Sequence, residues 1–161
     1  MVSREVEKLL LKVQKPGRYV GGELNEVIKD KKDVDVRFAF CFPDTYEVGM
    51  SHLGMKILYS LFNSRDYIWC ERVFAPWVDM EELMVQNNIP LYALESGDPI
   101  SDFDFIGFTL QYELSFTNML NMLKRYGYGF LFILGIHIYL VLAQKRKRII
   151  FVVPKTGIRK I

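Results

Sequence analysis

Apolar residues at Val6, Leu9, Leu10 and Val13 recur at i, i+3, i+4 and i+7. That spacing predicts a one-faced helix, ended by Pro16-Gly17. Residues 36–42 (VRFAFCF) are short, apolar and aromatic-rich, which predicts a buried strand broken by Pro43-Asp44. Met50, Leu53, Ile57, Leu58 and Leu61 then predict a helix with one apolar face. A strand, a loop with Asp and Gly, and a helix open a βα unit of a parallel sheet. The order repeats. Residues 71–74 predict a short strand ended by Pro76. Asp79 with Glu82 resembles a capping box before Met80, Leu83 and Met84. Residues 89–94 predict a third strand and 104–110 (DFIGFTL) a fourth. Leu114, Met119, Leu120, Met122 and Leu123 predict a further helix from Glu113. The expected fold class is α/β, an open Rossmann-like sheet, doubly wound and mostly parallel, incomplete, with an N-terminal helix. Ligands of such sheets bind beyond the carboxyl ends of the strands, here residues 43–54, 75–79, 95–101 and 109–115.

Composition agrees with a folded domain but divides the chain. Half of the 161 residues are hydrophobic and a quarter are charged, as in a globular protein. The net charge of +2 is an average of unlike parts: residues 1–123 hold all 19 acidic residues and carry −7, whereas residues 124–161 carry +9. A run of 38 residues without an acid arises by chance roughly once in a hundred at ordinary usage. Three segments are therefore expected: 1–34, a helix and a Gly-Gly motif; 35–123, the Rossmann-like domain; and 124–161, an aberrant basic, apolar tail. The charged start carries no leader pattern, so the acidic part is expected to be cytoplasmic. Its basic residues are scattered and outnumbered, so no nucleic-acid partner is expected.

The loop FPDTYEVGMSHLG at 42–54 is richest in candidate chemistry. Gly49 and Gly54 permit close backbone approach, and Ser51 and the helix start offer donors to a phosphate or amide. Neither G-x-G-x-x-G nor a Walker A sequence is present. His52 and His137 are the only histidines, and Cys41 and Cys70 the only cysteines, so no metal-ligand set and no catalytic residues are assigned. Cys41, inside a predicted strand, reads as a packed small hydrophobe.

Four stretches together resemble one family: RYVGGELN at 18–25, FPDTYEVGMSHLG at 42–54, ERVFAPWVDME at 71–81 and GFTLQYELSFTNMLNML at 107–123. They are similar to uncharacterised radical SAM proteins with an N-terminal B12-binding-like domain. Arg18, Tyr19, Gly21, Gly22 and Glu23 carry the first motif. The resemblance spans residues 5–123. It implies a larger enzyme whose barrel holds a [4Fe–4S] cluster on C-x-x-x-C-x-x-C and reduces S-adenosylmethionine. Two cysteines 29 residues apart cannot build that cluster. The resemblance also suggests cobalamin. Here Asp44-x-Tyr46-x-x-Gly49 has the spacing of D-x-H-x-x-G with tyrosine in place of the axial histidine, Thr109 stands near the S-x-L position, and the later Gly-Gly element is missing. Ligand binding is expected at Asp44, Tyr46, Glu47, Gly49, Ser51, His52, Thr109, Gln111 and Glu113. Asp44 and Glu47 would either orient hydroxyls and amides or serve as helix-cap and dipole partners.

The tail has three readings: a frameshift or premature end, a membrane anchor through the uncharged residues 126–143, or replacement strands at 130–134 and 149–153. The leading expectation is an N-terminal fragment of a radical SAM protein, inactive alone. The alternatives are a non-catalytic nucleotide- or protein-binding module, and a small membrane-anchored protein.

Overall fold

β1 (Val36–Phe42) is the centre from which the molecule is built. Its alternation sends Phe38, Phe40 and Phe42 to one side of a sheet and Ala39 and Cys41 to the other, so both sides must be covered. The computed structural model describes residues 3–110, 115–124 and 150–154. After β1 come α2 (Tyr46–Ser51), α3 (Leu53–Asn63), β2 (Ile68–Phe74), α4 (Val78–Gln86), β3 (Phe105–Thr109) and α5 (Ser115–Lys124). α1 (Arg4–Leu10) precedes them. β1 pairs in parallel with β2 (Val36 opposite Ile68) and with β3 (Phe38 opposite Phe105). β4 (Ile150–Pro154) pairs antiparallel to β3, with Thr109 opposite Ile150. The order is β2-β1-β3-β4, so the chain reverses its winding between β1 and β3. The fold is the expected open, mostly parallel α/β sheet.

α3 covers one side. Met55 and Tyr59 are buried there with Phe40, Phe42, Cys70 and Phe74, and Phe62 stacks on Phe38 at 4.9 Å. α1, α4 and α5 contribute Val6, Leu9, Met80, Met84, Met119, Met122 and Leu123 to the other side, against Val73, Ile106 and Phe108. Each such large side chain removed from water contributes about 1.5–3 kcal/mol before the cost of ordering it.

Several expectations are corrected. α1 ends at Leu10, and Pro16 instead opens a 3-10 turn, Pro16–Tyr19. β2 starts at Ile68, three residues before its predicted start. α4 begins at Val78 after Trp77, so Asp79 is no N-cap; its carboxylate accepts from the Gln14 and Met80 amides. Residues 89–94 are not a strand: they make one isolated bridge, Tyr92 to Pro99. Their apolar character comes from packing along the free edge of β2, where the Leu94 amide donates to the Arg72 carbonyl at 2.9 Å. The Asn63 side chain covers the same edge, bonding both the amide and the carbonyl of Cys70 at 2.9 Å. The predicted helix at 50–61 is two helices meeting at His52, whose extended ψ of 110° breaks the run. Its apolar face turns accordingly. Leu53, Ile57 and Leu61 are exposed, and the neighbouring stripe of Met55 and Tyr59 meets the sheet. The charge run at 29–35 is a loop, but Lys29 donates to the carbonyls of Asn63, Arg65 and Ile68 and so closes the end of α3. Cys41 is wholly buried, as expected.

Candidate functional site

β1 and β2 end side by side, joined beyond their last residues by the Ala75 amide donating to the Asp44 carbonyl at 3.0 Å. A crevice of about 190 Å³ lies over those ends, lined by Asp44, Thr45, Trp77, Glu81, Asn118 and Asn121, among others. α5 closes it. Asn118 donates to the Pro43 carbonyl at 3.0 Å, and Asn121 to the Glu81 carboxylate at 2.7 Å. Two carboxylates, two carboxamides and an indole edge therefore share one small space, which suits a polar ligand. Thr109, at the end of β3, is buried, and its hydroxyl has no hydrogen-bond partner among the described residues.

Not every expected residue faces that crevice. Asp44 does, while its carboxylate also accepts from the Thr45 amide at 2.7 Å. Tyr46 opens α2 and lies edge-on to Phe74 at 5.5 Å; burial, with Glu23 nearby, pushes its phenol pKa up. Glu47 is half-exposed and meets Arg18 at 2.9 Å and Lys15 at 3.2 Å. Against a small desolvation, those hydrogen bonds hold its carboxyl below the ordinary range. Gly49 is packed against a side chain: a Cβ there would lie 2.2 Å from the Phe74 ring. The Ser51 hydroxyl donates to the Val48 carbonyl within its own helix. His52 caps α3, its Nδ1 accepting from the Met55 amide at 3.1 Å, and its ring packs on Phe42. Gln111, Glu113 and His137 lie outside the described residues.

The first motif laces the rest together. Arg18 reaches Glu47 and lies over the Trp77 ring at 5.4 Å. The Tyr19 hydroxyl accepts from the Trp77 amide, and the Tyr19 carbonyl accepts from the Tyr92 hydroxyl. Gly21 has φ +68° and sits where a Cβ would be 2.7 Å from the Leu94 carbonyl oxygen, so this turn needs glycine. Gly22, at φ +82°, donates its amide to Glu26. Glu23 then reaches Arg72 in the middle of β2 at 2.8 Å. Arg72 also binds Glu95 through Nε at 2.6 Å, and its own amide donates to Glu95 at 2.7 Å. Burial pushes the Glu95 carboxyl up to about 7 against the pull of Arg72.

Sequence reasoning quoted Arg72, Trp77, Glu81, Asn118 and Asn121 only inside predicted elements and the motifs of the resemblance, and Glu95 only within a strand-end segment, with no role given to any of them. The physical signal was the pair Glu71 and Arg72, charges inside a predicted strand, which demand partners that no spacing rule locates.

Residues 54–131 match the family described as radical SAM proteins, N-terminal. The match runs from the start of α3 past α5, just under half of the chain, and supports a radical SAM protein N-terminal region. No curated protein and no solved structure matches the chain.

The family implies an iron–sulfur cluster and S-adenosylmethionine, and the residues present do not fit the cluster. Cys41 packs with the α4–α5 side of the sheet and Cys70 with the α3 side. Both are fully buried, and burial pushes both thiols up, away from the thiolate a metal needs. Among the described residues, no group of three or more His, Cys, Asp or Glu side chains is placed to hold a metal ion. Nor does Tyr46 fit as an axial cobalt ligand, being a neutral phenol lying edge-on to Phe74. Among the described residues, no helix is long and apolar enough to cross a membrane.

Proposed function

We propose that residues 35–123 form the ligand-holding α/β domain at the N-terminal end of a radical SAM protein, and that this chain performs no radical chemistry alone. In this reading residues 1–34 lace the domain together, and residues 124–161 follow it as a segment of different character, of which Ile150–Pro154 adds an edge strand to β3. The observation that carries it is the family match, which takes in α3, β2, α4, β3 and α5 and begins after β1 and α2. The winding reversal between β1 and β3 supports a ligand beyond the strand ends, because doubly wound sheets hold ligands at such a point. Asp44, Thr109 and Asn118 would contact the ligand there, and the motif of Arg18, Tyr19 and Glu23 would hold the loop that presents Asp44. Any cobalamin held there would bind without histidine ligation from this loop.

Two measurements test this. The DNA past codon 123 is read in all three frames; a frame restoring acidic residues and C-x-x-x-C-x-x-C is expected. Its absence from every frame would overturn the radical SAM reading. The chain is also given iron, sulfide, reductant and S-adenosylmethionine without oxygen. Neither the visible absorption of a cluster nor 5′-deoxyadenosine is expected, and formation of both would show that the chain is active by itself.

A further inference from the structure

A second cavity lies on the α3 side of the sheet, away from the strand ends and independent of the reading above. It measures about 620 Å³, within the range of small-molecule sites. α2 and α3 form one wall and the segment 23–27 the other, with Arg72 at the base. Val27, Met50, Met55 and the Tyr59 ring make the walls mainly apolar. Two thioethers adapt such walls to an unbranched chain or a flat ring.

The base of the cavity is short of hydrogen-bond donors. Arg72 is already paired, meeting Glu23 at 2.8 Å and Glu95 at 2.6 Å, so two carboxylates share one guanidinium. An ionised carboxylate offers about four acceptor positions. Glu23, which lines the cavity, spends Oε2 on Arg72, whereas its Oε1 is buried with no hydrogen-bond partner among the described residues. The Tyr46 phenol, whose pKa Glu23 helps to raise, does not fill that position. A buried acceptor left without a donor is costly, so the position calls for a donor from outside the chain. The last torsion of a glutamate is broad, and a small tilt turns the carboxylate toward a donor arriving through the cavity. The surplus charge beside Arg72 is negative, which favours a cationic donor over a neutral one. The exposed Lys56 carries its own charge at the rim, where water and salt screen it. We propose that this cavity binds a small amphipathic amine, an apolar chain or ring ending in one ammonium group, with its body along Met50 and Met55 and its ammonium donating to the Glu23 carboxylate.

Calorimetric titration of the full chain with hexylamine, hexan-1-ol and hexanoate at pH 8, where the amine is charged and Glu95 is ionised, tests it. Saturable hexylamine binding is expected, with hexan-1-ol about tenfold weaker, the ratio expected when one hydrogen bond gains a charge, and no saturation by hexanoate. Glu23→Gln keeps an oxygen for Arg72 but puts an amide donor in place of Oε1. It should weaken hexylamine at least tenfold and leave hexan-1-ol, which accepts as well as donates, unchanged. Ser60→Trp, at an exposed cavity-lining position of α3, should abolish hexylamine binding without lowering the melting temperature. Hexanoate binding as tightly as hexylamine would overturn the donor assignment. Full hexylamine affinity in Glu23→Gln or in Ser60→Trp would place the ligand elsewhere and overturn the site. Absence of saturable hexylamine binding to the unaltered chain would overturn the proposal outright.

Discussion

Replacing Glu95 by glutamine isolates the electrostatic strain at the centre of the molecule. Glu95 is almost wholly buried, and burial raises its pKa from 4.5 to about 7 although it binds Arg72 through both carboxylate oxygens. A carboxyl raised on folding holds its proton more tightly in the folded state than in the unfolded one. Its contribution to stability is therefore complete below the ordinary carboxyl range and is lost as pH climbs through 4.5 toward 7. At about 1.4 kcal/mol per unit, the loss comes to about 3 kcal/mol. Glutamine keeps an oxygen for the Arg72 amide but cannot titrate. Urea unfolding of both proteins from pH 4 to pH 8 gives the stability difference, original minus Glu95→Gln, at each pH. That difference should fall by about 3 kcal/mol across the window and level off above it. Subtraction removes Glu71, whose carboxyl burial also raises, and Asp98 and Glu47, whose lowered carboxyls act at more acid pH. A difference curve flat to within about 1 kcal/mol, or one that rises with pH, refutes the reasoning.

Two other outcomes follow from packing. Gly49→Ala gains about 1 kcal/mol of helix propensity but drives a methyl group into the Phe74 ring, an overpacking cost of about 1–3 kcal/mol, so a net loss is expected in a thermal melt. In a Phe74→Leu background the same change should become neutral or stabilising, and an equal cost in both backgrounds would refute the clash. Cys41 and Cys70 should resist a thiol reagent such as Ellman's in the native protein and react in denaturant; fast native reaction of either contradicts their burial.

Much of the fold was legible because it rests on local pattern. VRFAFCF and DFIGFTL declare strands β1 and β3 through length, aromatic content and breakers. Residues 89–94 misled because burial against a strand edge selects the same apolar residues as strand pairing does. α3 misled differently. Leu53, Ile57 and Leu61 share one stripe, but the sheet selects Met55, Tyr59 and Phe62 because Phe38 offers a ring for Phe62 to stack upon. At the candidate site the loop 42–54 was legible as a βα turn, yet not the task of each residue. A glycine that admits a ligand and one that admits Phe74 look alike in sequence. So do a histidine that binds and one that caps a helix.

The sequence by itself determined the alternation of strands and helices, the burial of β1 on both sides, the shortage of cluster-building cysteines and the change of character after residue 123. Each is a matter of composition or of near neighbours along the chain. Only the tertiary structure decided that Glu23, Arg72 and Glu95 meet, that Asn118 and Asn121 close the crevice above Asp44, and that Lys56 and Arg72 share a cavity. Those contacts join residues tens of positions apart. Side-chain spacing reports the local helix or strand period, whereas long-range pairing depends on strand order and on which face each helix covers.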